Sequence, residues 1–250
     1  MKTYYYISVL PFFLSSCALS EGLSPPKDGK VVTVSVVKPV DVDILPMSVI
    51  YRSKKCTDKI FTSSGEITDQ DGFNRLTVPF IQDAGKNTVS NKIALSGGGS
   101  CNWQLSNIRF QFKFSNPDKF GEGIKINIPA DIVFIFDDND PPRGDGNEED
   151  VTGDVEVKKD YYAMINKAFT DDGFDVLHIS GQSMLTYRVH DVKSIFFRPN
   201  VHSDKIVNVL TPKKSGDDYV IVYPNGEKVT DHYFPYSDKT KYEYVEKKFH

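Results

Sequence analysis

The chain is poor in the residues that make chemistry easy to read. Its 250 residues include three cysteines, one tryptophan, four methionines and five histidines. Three cysteines exclude a disulfide-dense scaffold, and the absence of CxxC, HxxxH or any close Cys/His set leaves a zinc site without local support. Neither sign of charge is in large excess: 30 Lys and Arg stand against 34 Asp and Glu, a formal net charge of -4. A general nucleic-acid binder needs surplus cations to displace counterions from phosphates, so that class is excluded. With 39% hydrophobic and 26% charged residues, the chain is neither disordered nor a polytopic membrane protein. No GxSxG elbow occurs, since Gly181-Gln182-Ser183 continues to Met184 and Leu185. Ser96–Ser100 lacks the Lys and the following helix of a phosphate loop. Triads assemble from distant positions, so these absences favour a binding protein over an enzyme without excluding a hydrolase with a dispersed site.

What is present begins at the N-terminus. Lys2 precedes about a dozen mostly apolar residues from Tyr4 to Leu14, the layout of a secretory signal and too short to span a bilayer comfortably. Leu14-Ser15-Ser16-Cys17 resembles the bacterial lipobox. That resemblance implies a signal peptide over residues 1–16, acyl chains on Cys17, and an anchor that two or more chains make lasting. Ala18, not Asp, follows the cysteine, which by the same resemblance implies the periplasmic face of the outer membrane. Residues 17–30, with Ser20, Gly22, Ser24, Pro25, Pro26 and Gly29, read as a lipidated flexible tether. Cys56 and Cys101 remain, an even pair in an oxidising compartment. A disulfide, a metal pair and a nucleophile are the readings open to them, and a structural disulfide fits the address best. It would close a loop of about 45 residues, contributing on the order of 4 kcal/mol in the chain-entropy view.

The exported chain reads as mainly β: an antiparallel β-sandwich followed by a smaller β-rich α+β domain. Val31–Val37, Val42–Arg52, short pieces around Gly72-Phe73 and Leu76–Ile81, and Asn91–Leu95 are rich in β-branched and aromatic residues. Phe110, Phe112 and Phe114 alternate with Gln111 and Lys113, and Ile124–Ile128 alternates likewise. Ile132–Phe136 is apolar throughout, the pattern of a strand buried on both faces. Trp103, two residues from Cys101, suits a ring packed on the disulfide. The expected division is a sandwich over 31–136, an acidic linker over 137–154 and a second domain over 155–250.

Asp137–Asp150 holds seven acids, one Arg, two Pro and two Gly and can form no core. A solvated charge run, a partner-binding loop and a calcium site are all open readings; the EF-hand pattern itself fails because Pro141-Pro142 occupy its turn. On the second reading the candidate contact residues are Asp137, Asp138, Asp140, Arg143, Asp145, Glu148 and Glu149. Beyond it, Val157, Tyr161, Ile165 and Phe169 fall at helical spacing, predicting a helix over about 160–168. Strands resume at Phe174–Ser180, Ser183–His190, Ser194–Arg198, Ile206–Leu210 and Tyr219–Tyr223, with Pro224-Asn225-Gly226 as a hairpin turn. His178, His190 and His202 recur every twelve residues on separate predicted strands, which gives no local ligand geometry. No metal or cofactor is expected.

Val49-Ile50-Tyr51-Arg52-Ser53 leading into Cys56, together with Leu95–Asn107 and the lipobox, resembles the envelope lipoproteins that serve as immunity proteins against type VI secretion lipase effectors. The likeness lies mainly over residues 40–115. It implies a protein partner, a secreted phospholipase held inactive by tight binding, and no catalytic residues. The alternative from the same features is a structural or assembly lipoprotein of the envelope or secretion apparatus.

Overall fold

Alternation of apolar and polar residues dominates the chain, and strands dominate its structure. The computed structural model describes residues 22–122, 124–139, 148–168, 173–182, 184–235 and 237–250. The expected signal segment and Cys17 lie outside the described residues, as do Asp140, Arg143 and Asp145. The strands are β1 (Val31–Val37), β2 (Val42–Ile44), β3 (Met47–Phe61), β4 (Ile67–Val78), β5 (Ile81–Gln82) and β6 (Thr88–Ala94). They continue with β7 (Ser96–Gly98), β8 (Trp103–Phe114), β9 (Ile124–Ile128), β10 (Ala130–Ile135), β11 (Glu148–Thr152) and β12 (Val155–Lys167). The last are β13 (Asp175–Ser180), β14 (Met184–His190), β15 (Ser194–Leu210), β16 (Tyr219–Val222) and β17 (Lys228–Asp231). Short helical turns over Asp238–Thr240, Tyr242–Val245 and Glu246–Lys248 close the chain.

Among the described residues two sheets form. One runs β11-β14-β10-β8-β3-β4, with β2 and β7 also on β8; the other runs β5-β6-β1-β15-β12-β13-β9, with the β16–β17 hairpin attached to β15. Val32, Val34 and Val36 of β1 join Phe110, Phe112 and Phe114 of β8 within one buried cluster, the interior of a sandwich. Rings interlock there: Phe112 meets Tyr161 edge-on at 5.0 Å, and Phe110 lies 5.9 Å from Phe197. All six residues of β10 are buried, as the apolar run from Ile132 requires, with Asp131 buried against Arg109 and Gln111.

The fold is mainly β, with a small helical part. Several details depart from the reading by sequence. The expected helix over about 160–168 is instead the latter part of β12, which ends at Lys167. Residues four apart share a helix face, but an even spacing also shares a strand face, so the pattern fits both. Burial decides: Tyr161, Ala163 and Ile165 enter the main core, while Tyr162 and Met164 enter a second cluster with Val207, Val209 and Val245. Covered on both faces, and carrying Tyr161, Tyr162 and Ile165, the segment is a strand.

The segments 31–136 and 155–250, expected as successive domains, share both sheets. β1 pairs in parallel with β15 (Val34↔Ile195), and β10 pairs in parallel with β14 (Phe134↔Tyr187). A strand as apolar as β10 needs hydrogen-bonding neighbours on both edges; β8 supplies one and β14, from the later segment, the other. The sheets are therefore mixed and not purely antiparallel: β9–β13, β11–β14 and β12–β15 are parallel as well.

Within the expected tether, residues 22–30 are docked. Ser24 bridges to Gly98, its N–H donating to the Gly97 carbonyl at 2.7 Å, and Leu23 packs against the core. Gly98, at φ +62°, permits this approach, because a Cβ there would stand 2.1 Å from the Ser24 carbonyl oxygen.

Candidate partner-binding surfaces

The cysteine pair forms the expected disulfide, Cys56–Cys101, with Cα atoms 5.3 Å apart. It ties β3 to the turn before β8. Ser53 reinforces the junction, donating its hydroxyl to the Cys101 carbonyl at 2.6 Å and accepting the Cys56 N–H at 2.9 Å.

The described residues of the acidic segment occupy an edge of the first sheet. Asp137 follows β10 and is folded locally, accepting the Asn139 backbone N–H at 3.0 Å and its side-chain amide at 2.7 Å. Arg188 of β14 donates to the Asp137 carbonyl and clasps Glu148 through two guanidinium nitrogens. Asp138, just beyond β10, is exposed; Glu149 stands 4.0 Å from Lys159, and Asp150 stands 3.4 Å from His190. Glu148 is thus a clasp, while Asp138, Glu149 and Asp150 leave carboxylate surface open to solvent. Charge on an exposed edge also deters pairing with another chain's strand.

A groove of about 470 Å³ runs beside this edge, between β11 and β12, walled by Glu149, Asp154, Glu156, Lys158 and Lys159 over Tyr187. Asp154 accepts the N–H groups of Lys193 and Ser194, which hold its carboxyl below the usual range. Glu156 is held low by Lys158 first and by Arg198, which donates at 2.8 Å. These two acids were not among the candidates from sequence. They lie at the start of β12 and just before it, in a segment of alternating charge that carries no local signal of a groove. Comparison with protein-family models, curated proteins and solved structures found no match.

A larger hollow, about 880 Å³, opens at the end of the sandwich where β1 and β15 begin and β10 and β14 finish. Lys30, Lys92 and Lys193 rim it over Leu105 and Phe136. The three histidines of twelve-residue spacing go separate ways. His178 meets Asn166 at 3.2 Å, His190 meets Asp150, and His202 lies 3.0 Å from both Asp160 and Tyr242. Among the described residues no group of three or more His, Cys, Asp or Glu side chains converges as a metal site would require.

Proposed function

We propose that this chain is a lipid-anchored envelope protein that binds and neutralises a toxic phospholipase effector of a type VI secretion system, acting as an immunity protein and not as an enzyme. The observation that carries the reading is the acidic edge of the first sheet, where Glu149 and Asp150 of β11 and Asp138 after β10 expose carboxylates and Glu149 lines a groove edged by Asp154 and Glu156. A rigid acidic edge suits a basic surface around an enzyme's cleft, and complementary charge raises the rate of capture. The sequence supports the address: a signal-like segment, a lipobox-like Cys17 and Ala18 after it, consistent with the periplasmic face of the outer membrane. Tethering there would hold the protein at raised effective concentration where the lipase meets its substrate.

Purified protein mixed with the lipase encoded beside it should abolish phospholipid hydrolysis at equimolar ratio. Undiminished hydrolysis at stoichiometric excess would overturn the proposal. Replacing Asp138, Glu149 and Asp150 together by Ser should slow association about tenfold or more at low salt. An unchanged on-rate would remove the acidic edge from the interface.

A further inference from the structure

The hairpin of β3 and β4 changes surroundings half-way along. From Met47 to Arg52, β3 lies between β4 and β8 and buries alternate side chains. Beyond the register shift at Ser53/Thr57, the pairs from Thr57↔Asp71 to Phe61↔Ile67 have no third strand among the described residues. Five strand residues carry the tip about 17 Å from the body. At that tip Phe61 and Ile67 are direct cross-strand partners on one face, 78% and 60% exposed. Next to them on the same face, Lys59 and Asp69 neutralise each other at 3.6 Å. A bare two-stranded ribbon is marginal in water, so this arm depends on its root. The Cys56–Cys101 bridge fixes one strand there, and Gly72 fixes the other, where a Cβ would stand 2.0 Å from the Cys56 carbonyl oxygen and 3.5 Å from Trp103.

The chain enters the body at the same place. Gly22 borders the turn that holds the arm's root: a Cβ on Gly99 would lie 3.3 Å from its carbonyl oxygen. Five residue steps separate Gly22 from Cys17, a reach of at most about 18 Å, equal to the rise of the arm. This inference rests on the acylation of Cys17 in the function proposed above. A bilayer holding that cysteine then lies within reach of the tip. An aromatic and a branched aliphatic side chain, with Lys59 and Asp69 paired behind them and the exposed Glu66 carboxylate in the turn beyond, suit the boundary where acyl chains meet polar headgroups.

We propose that the β3–β4 tip is a second membrane contact, with Phe61 and Ile67 entering the interface of the bilayer that holds Cys17. The two contacts stand the strands roughly along the membrane normal. β11, five strand spacings or about 24 Å away across the sheet, then runs up the flank of the body and stays open to a partner.

The lone Trp103 is buried, so Phe61→Trp adds an indole with a distinguishable environment. Acylated protein carrying this change is reconstituted in vesicles of phosphatidylethanolamine and phosphatidylglycerol, some with bromine on shallow acyl carbons. Brominated lipid should quench the added emission at least about twofold and leave the unsubstituted protein's emission unchanged. An added indole that iodide quenches from solution and brominated lipid does not would overturn the proposal. Phe61→Ser with Ile67→Ser should leave inhibition of the lipase in lipid-free solution unchanged; its loss would assign the tip to the protein partner and overturn the membrane contact. The mass of the Cys17 peptide separates the two failures. A peptide without acyl groups removes the anchor and the contact together, whereas an acylated peptide with an unquenched indole removes the contact alone.

Discussion

Tyr161 is fully buried between the sheets, and its hydroxyl has no hydrogen-bond partner among the described residues. Phe112 lies 5.0 Å and Phe197 6.4 Å away, so the ring is well packed while its polar end is stranded. Tyr161→Phe keeps the ring and removes the unsatisfied group, and should stabilise the fold by about 1 kcal/mol in urea titration. Burial pushes the phenols of Tyr161, Tyr162 and Tyr223 up. In the unfolded chain these groups ionise near pH 10, so the folded state binds more protons above that pH. The contribution of these phenols should be constant below about pH 10, and stability should fall as pH rises beyond it, less steeply in Tyr161→Phe. Asp131 is the opposite case, a buried carboxylate fully engaged by Arg109 at 2.6 Å and Gln111 at 3.0 Å. Asp131→Ala strands a half-buried guanidinium and should cost about 2–4 kcal/mol in the same titration. Neither the stranded phenol nor the engaged carboxylate was announced by the sequence. Tyr161 read as a helix residue, and Asp131 drew no reading. Cys56 and Cys101 could be paired because the lipobox resemblance sets Cys17 aside and no other cysteine remains.

Strands were easy to find where one face is wet and one dry, as in β1 and β8. They were misread where both faces are dry, as in β12, because burial erases the alternation that distinguishes a strand from a helix. Exposure misleads in the other direction. Phe61, Ile67 and Phe73 look like core residues in the sequence, and only the lack of a covering strand shows that they are not. The acids of β11 were visible as charge, but the distinction between Glu148, clasped by Arg188, and the solvent-facing Glu149 and Asp150 depends on which strand lies next door. The arm's integrity belongs to this level. Removing the bridge by Cys56→Ala with Cys101→Ala should destabilise the protein by about 2–4 kcal/mol. Amide exchange should rise first over residues 57–71, while β8 and β10 remain protected. Equal loosening of β8 would mean that the bridge supports the body and not the arm.

The acidic segment was expected to separate a pair of domains because it contains nothing that can form a core. It does contain nothing of the kind, yet it returns the chain to the sheet it left: β10 and β11 flank the same strand, β14. Pairings of this sort were beyond sequence reasoning, since hydrophobic pattern reports which face of a strand is buried and not which strand lies beside it. Neighbours such as β3 and β4, joined by a short turn, need no such information; β1 and β15 do.

That last pairing governs the order in which the molecule can be completed. Thr33 finds its parallel partner only at Ser194, so a nascent chain makes its first strand long before that neighbour exists. That backbone edge of β1 must wait unpaired while most of the polypeptide is synthesised, and contacts so remote in sequence are slow to close and prone to aggregation. Chains truncated before Ser194 should accumulate as insoluble or degraded material even though they retain the whole of β8 and β10, a result that fractionation of cells expressing them would show directly. Synthesis of this protein therefore depends on holding an unfinished Val-rich ribbon in solution until the last stretch of chain arrives.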